Sequence, residues 1–114
     1  MPTTIQTGAT FKENLQQLPS VDDLRRIDLI DETGLVVASI ENQPGKQGSL
    51  AVYHSLKCSF GMLNTEAAEQ GLLLFAEHTA DARNRPGAHP NIDRLFAIIS
   101  GGTPLNIEVI PADG

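Results

Sequence analysis

An α+β domain is predicted, with one mixed or antiparallel sheet of about four strands and helices mainly on one face. Three observations predict it. Residues 25–40 read as a β-hairpin around Glu32-Thr33-Gly34, residues 90–99 carry a helical stripe, and residues 106–110 alternate for most of their length as a strand. Because the hairpin strands keep a polar side, one sheet face is expected to stay free of helices. A length of 114 residues suits a single domain, and 40% hydrophobic content is too high for a disordered chain. With 4% aromatics and no Trp, the core must be built mostly from Leu, Ile, Val and Ala. The expected boundaries are a flexible N-terminal arm over residues 1–10, the domain over 11–110 and a tail over 111–114.

The elements follow in order. Thr10-Phe11-Lys12-Glu13 is a capping-box pattern, and Phe11, Leu15 and Leu18 then form one helical stripe that Pro19 stops. Ser20 suits the cap of a single turn ending at Leu24. In the hairpin, Gly34 supplies a turn position free to take φ > 0. Residues 41–48, with Asn42, Pro44, Gly45 and Gly48, read as a loop. A helix is expected from Ser49, with Tyr53, Leu56 and Phe60 on its apolar face and Gly61 at its C-terminal end. Asn64 or Thr65 then caps a short helix over residues 66–70.

Residues 72–77, Leu-Leu-Leu-Phe-Ala-Glu, admit two readings. They extend the preceding helix through Gly71, or they form a buried strand. Leu and Ala favour helix, but a helix-interior Gly costs roughly 1 kcal/mol, and the short run with a flanking Gly leans towards strand. The strand is therefore the expectation. Thr79 would cap a short helix over residues 80–84, with Arg83 and Arg85 at its C-terminal dipole. Pro90 suits N1 of the last helix, where Ile92, Leu95, Phe96 and Ile99 share one face.

Charge narrows the function. Fourteen acidic against eight basic residues give a net charge of −6, and Arg25-Arg26 is the only adjacent basic pair. Such a surface repels phosphate backbones, so no nucleic-acid partner is expected. No apolar run approaches the ~20 residues of a membrane helix, and the first residues lack a secretory pattern, so no membrane partner and a cytoplasmic location are expected. A single cysteine excludes an intrachain disulfide and a Cys-based zinc cluster, and Cys58 is read as a small buried hydrophobe.

Chemistry-capable residues concentrate in two places. Glu77, His78, Asp81, His89 and Asp93, with Arg83, Arg85 and Arg94, form the densest polar region. On a functional reading His78 or His89 would act as general base or metal ligand, oriented by Asp81 or Asp93, with Thr79 the local candidate nucleophile. The ordinary alternative is a solvated junction of two short helices: Asp93 pairs with Arg83, and His89 fills an N-cap. No zinc-motif spacing is present, and no metal or cofactor is expected. The second place is Pro44-Gly45-Lys46-Gln47-Gly48-Ser49, where free N–H groups at a helix start and Lys46 would attract an anion, making Lys46, Gly48 and Ser49 candidates. A phosphate P-loop needs its Lys after the second Gly, so the alternative is an ordinary strand-to-helix turn. Tyr53 is read as a core tyrosine with its hydroxyl at the edge, and His54 as solvated.

Several strings carry a resemblance. Residues 36–40, 44–54, 75–79, 81–83, 86–87 and 89–95 resemble a family of short bacterial proteins classed as a domain of unknown function, over about residues 11–99. The resemblance implies a bacterial, cytoplasmic, single-domain protein and supplies no activity, cofactor or partner. The residues favour a non-enzymatic binding or accessory module, with a protein or small-molecule partner and a homodimer as one form. The alternative is a small hydrolase-like or metal-dependent enzyme built on residues 77–94.

Overall fold

A computed structural model describes residues 10–18 and 20–112. Residues 1–9 of the arm expected over residues 1–10, the stop at Pro19 and the last two tail residues lie outside the described residues.

The chain builds a four-stranded antiparallel sheet and five helices, an α+β domain. Strands β1 (Leu24–Ile30) and β2 (Val36–Glu41) form the expected hairpin. Asp31 shapes the turn by accepting from the N–H groups of Thr33 and Leu35 at 2.9 and 3.1 Å. Strand β4 (Leu105–Pro111) pairs with the other side of β1, and the two-residue β3 (Met62–Leu63) pairs with β4, giving the order β2-β1-β4-β3.

The pleat divides the sheet into two faces. Ile27, Leu29, Ile40 and Ile107 turn into the core. On the opposite face Asp28 accepts from Arg26 Nε at 2.9 Å and from the Ser39 hydroxyl at 2.8 Å. Burial pushes the Asp28 carboxyl up, but the Arg26 and Ser39 hydrogen bonds outweigh it and hold the group below its ordinary value.

Helix α2 (Gln47–Phe60) lies between the sheet and the remaining helices, so its buried residues run nearly all round it: Leu50, Ala51, Val52, Tyr53, Ser55 and Leu56. Its exposed residues lie at the two ends, Gln47 at the start and Lys57, Cys58 and Ser59 towards the C-terminus. Cys58, expected to be buried, is there on the surface. His54, expected to be solvated, has its Nδ1 shut off from solvent with no hydrogen-bond partner among the described residues, and burial lowers its pKa.

The expected strand at residues 72–77 is a helix. Helix α3 runs over Thr65–Phe75, capped by the Asn64 side chain, which accepts from Ala67 N at 2.9 Å. Gly71 sits inside it for a packing reason: a Cβ there would lie 2.8 Å from Leu95 Cδ1 and 3.2 Å from Leu56 Cδ1. The missing methyl lets α3 close against α2 and α5 (Pro90–Ile99), and this contact outweighs the propensity cost. The fourth strand is β3 instead.

The rod breaks at Ala76, whose φ of 50° is the one positive value among the described non-glycine residues. Helix α4 (Glu77–Asn84) then starts three residues earlier than expected. Thr79 is therefore inside α4 and is no cap; its hydroxyl donates to the Leu72 carbonyl at 2.6 Å. The carbonyls of Leu73 and Leu74 receive the side-chain amide of the fully buried Asn14, at 3.4 and 3.0 Å. The break thus leaves carbonyls in need of donors, and two distant side chains supply them.

Asn14 belongs to helix α1 (Phe11–Leu15), whose N-cap Thr10 accepts from Glu13 N at 3.3 Å. This helix ends before Leu18, short of the predicted stripe. Among the described residues no helix is long and apolar enough to cross a membrane.

Candidate functional site

The two chemistry-bearing segments, far apart in sequence, open on one cavity of about 810 Å³. One wall is the start of α2, with Lys46, Gly48 and Ser49; another is the start of α5, with His89, Asn91 and Arg94. Neither helix start is closed by a side-chain cap, so each carries partial positive charge; at α5 the first helical residue, Pro90, has no N–H, and the Ile92 N–H already donates to the His89 carbonyl at 3.0 Å. The third wall is aromatic. Phe11 stacks on Phe75 at 5.3 Å between centroids, meets His78 edge-on at 5.0 Å, and His78 in turn lies 5.7 Å from His89.

Of the five polar residues expected at one site, three come together. His89 Nε2 lies 2.6 Å from Asp81 Oδ2, and His78 stands beside His89. Asp81 also receives Arg85 through Nε at 2.9 Å and through Nη2. The Arg85 hydrogen bonds first, and that of His89 second, hold the Asp81 carboxyl far below the usual carboxylate range. Asp81 therefore serves as a fixed acceptor that orients the His89 ring. The His78 ring makes only ring contacts, with no hydrogen bond to the described residues.

Glu77 and Asp93 do not join them. The Glu77 carboxylate accepts from Phe11 N at 2.6 Å, and that N–H and its own hold its pKa low. Asp93 accepts from Gly87 N at 2.9 Å and makes no pair with Arg83, which lies over the Phe96 ring at 5.2 Å. Thr79, the candidate nucleophile, spends its hydroxyl on Leu72 in the interior, and Ser39 spends its own on Asp28. Among the described residues no group of three or more His, Cys, Asp or Glu is arranged to hold a metal ion.

In the sequence Arg94 was merely one of the three arginines of the polar region over residues 77–94; the structure gives it a distinct place. It is half-buried in the cavity wall. Its Nη1 donates to the Tyr53 hydroxyl at 3.2 Å and to Asn91 Oδ1 at 2.9 Å, and the guanidinium lies 5.8 Å from the Tyr53 ring centre. Tyr53 in turn donates to the Asn91 carbonyl at 2.5 Å. Burial pushes the phenol up to about 12, with the Arg94 charge opposing, so it stays protonated and donating. Both Arg94 hydrogen bonds leave from Nη1, and no carboxylate among the described residues pairs with it. A signal existed in the sequence: a tyrosine on an apolar stripe needs a partner for its hydroxyl.

Among the described residues the cavity lining contains Lys46, His78, His89 and Arg94 and no Asp or Glu, in a chain of net charge −6. Carboxylates make up nearly an eighth of the chain, so a wall free of them is a local inversion of its charge.

The model of a bacterial family, described as "uncharacterized protein conserved in bacteria (DUF2322)", matches residues 11–109. The chain belongs to this family. The DUF2322 match takes in all three walls of the cavity, from Phe11 to Arg94. No curated protein and no solved structure matches the chain.

Proposed function

We propose that this protein is a binding module for a small organic anion, held in the cavity between α1, α2 and α5. The observation that carries the reading is Arg94. A half-buried guanidinium is costly to leave without a counter-charge, and this one is fixed by Tyr53 and Asn91, its Nη2 and Nε making no hydrogen bond to the described residues. Such a planar, pre-oriented fork suits a carboxylate or phosphate oxygen pair. The uncapped starts of α2 and α5 add positive potential, and Lys46 adds a flexible charge. Titration of the isotope-labelled full chain with benzoate and with neutral benzamide tests it. Benzoate is expected to shift the amide signals of residues 46–49 and 89–94; equal shifts with benzamide would refute a charge-selective site.

A second reading is hydrolytic and is favoured by the Asp81–His89 pair. With Nε2 on Asp81, the Nδ1 of His89 is the nitrogen left to take a proton from water. Turnover of 4-nitrophenyl acetate that falls at least tenfold in both His89→Gln and Asp81→Asn would support it. Turnover unchanged in both variants would remove it.

Leu35, Val36 and Val37 are 66, 53 and 52% exposed at the free edge of β2, which supports the expected homodimer. Light scattering should then give twice the monomer mass, reduced by Val37→Lys. A cytoplasmic setting accords with the exposed thiol of Cys58, which a reducing compartment keeps unpaired.

A further inference from the structure

Resting on the anion reading above, we propose that the ligand is an aromatic carboxylate, with its acid group on Arg94 and its ring against Phe11 and His78. Size excludes an inorganic anion as the full occupant. A cavity of about 810 Å³ lies in the range of sites for organic molecules, and a lone phosphate would fill little of it.

Lining chemistry then chooses among organic anions. The chain has only four Phe and one Tyr. Phe11 and Phe75 line this cavity, and Tyr53 anchors its arginine from behind. With His78 and His89 they make a continuous series of ring contacts along one wall. Rings in such a wall present edges and faces that favour another π-system over a saturated group of equal size. The cations opposite, Lys46 and Arg94, favour a π-face as well. His78, with no hydrogen bond to the described residues, has ring nitrogens to offer a hydroxyl or heteroatom on the ligand ring.

Phe11 is the half-buried end of this wall and is set by a close approach. A Cβ on Gly48 would lie 2.8 Å from Phe11 Cε2 and 2.9 Å from Cζ, so the glycine lets the ring reach across the start of α2. The same glycine therefore joins the aromatic wall to the basic one.

The test is calorimetric titration of the full chain with benzoate, cyclohexanecarboxylate, inorganic phosphate and benzamide. Benzoate is expected to bind at least threefold more tightly than cyclohexanecarboxylate and at least tenfold more tightly than phosphate. Phe11→Leu, or Gly48→Ala, which crowds the Phe11 ring, is expected to weaken benzoate at least threefold and leave phosphate unchanged. Benzoate and cyclohexanecarboxylate binding equally would overturn the aromatic assignment, as would phosphate binding as tightly as benzoate; the anion site would stand in both cases. Benzamide matching benzoate, or no binding by any probe, would take down the anion site and this inference with it.

Discussion

Arg94 donates to the hydroxyl of Tyr53 at 3.2 Å, so the charged wall of the cavity is tied to a residue with no exposed surface in the middle of the core. Tyr53 sits on α2 and Arg94 on α5, and the Asn91 carbonyl and side chain close the three-residue cluster. Tyr53→Phe removes the hydroxyl and with it the hydrogen bonds to the Asn91 carbonyl and to Arg94. The expected cost is about 1–2 kcal/mol in urea denaturation, with benzoate affinity falling severalfold as Arg94 loses an anchor. A variant as stable as wild type, with unchanged affinity, would show that the hydroxyl positions nothing.

Asn14 ties α1 to the end of α3 through two buried carbonyls. Asn14→Leu keeps the volume and withdraws both donors. Leaving buried carbonyls unmet costs about 1–3 kcal/mol, and α1, with only five residues, is too short to hold its helix without such ties. A drop in the urea midpoint is expected, together with early loss of amide protection in residues 11–15.

Gly71→Ala is a test of packing against propensity. Exposed in a helix interior, the change would stabilise by about 1 kcal/mol. Here the added methyl meets Leu95 and Leu56 at 2.8 and 3.2 Å, so overpacking of about 1–3 kcal/mol is expected to win. A melting temperature above wild type would contradict the close α3–α5 contact.

Asp28 gives a pH dependence of known sign. Its folded-state pKa lies below the ordinary aspartate value, so the folded state binds the proton less readily than the unfolded chain. Its contribution is complete above about pH 4 and is lost as pH falls through the lower, folded value. Asp28→Asn is expected to lower stability by about 1 kcal/mol at pH 7, with the gap from wild type narrowing below pH 4. A gap that widens in acid would reverse the assignment.

Local signals made much of the fold legible. The hairpin followed from alternation around a glycine turn, and α5 from Pro90 with its apolar stripe. The run after Gly71 misled because five apolar residues beside a glycine describe a buried strand and a buried helix equally well. What decides it is the Leu95 side chain, distant in sequence, filling the place of the Gly71 Cβ. The two-residue β3 carried no pattern long enough to read. In the site, Lys46, Gly48, Ser49, His78 and His89 were each visible as residues with chemistry. Their meeting in one cavity was not, because it depends on α1 and α5 closing over the start of α2. Arg94 was hidden among neighbours until its partners on another helix were known.

The central claim is that Arg94 holds the ligand's negative charge. The most direct measurement is calorimetric titration of benzoate into wild type and Arg94→Gln, each at low and high salt, after melting curves confirm that both fold. At least tenfold weaker binding in the variant, with a smaller salt dependence, is expected. Equal affinity and an equal salt response in the two proteins would contradict it.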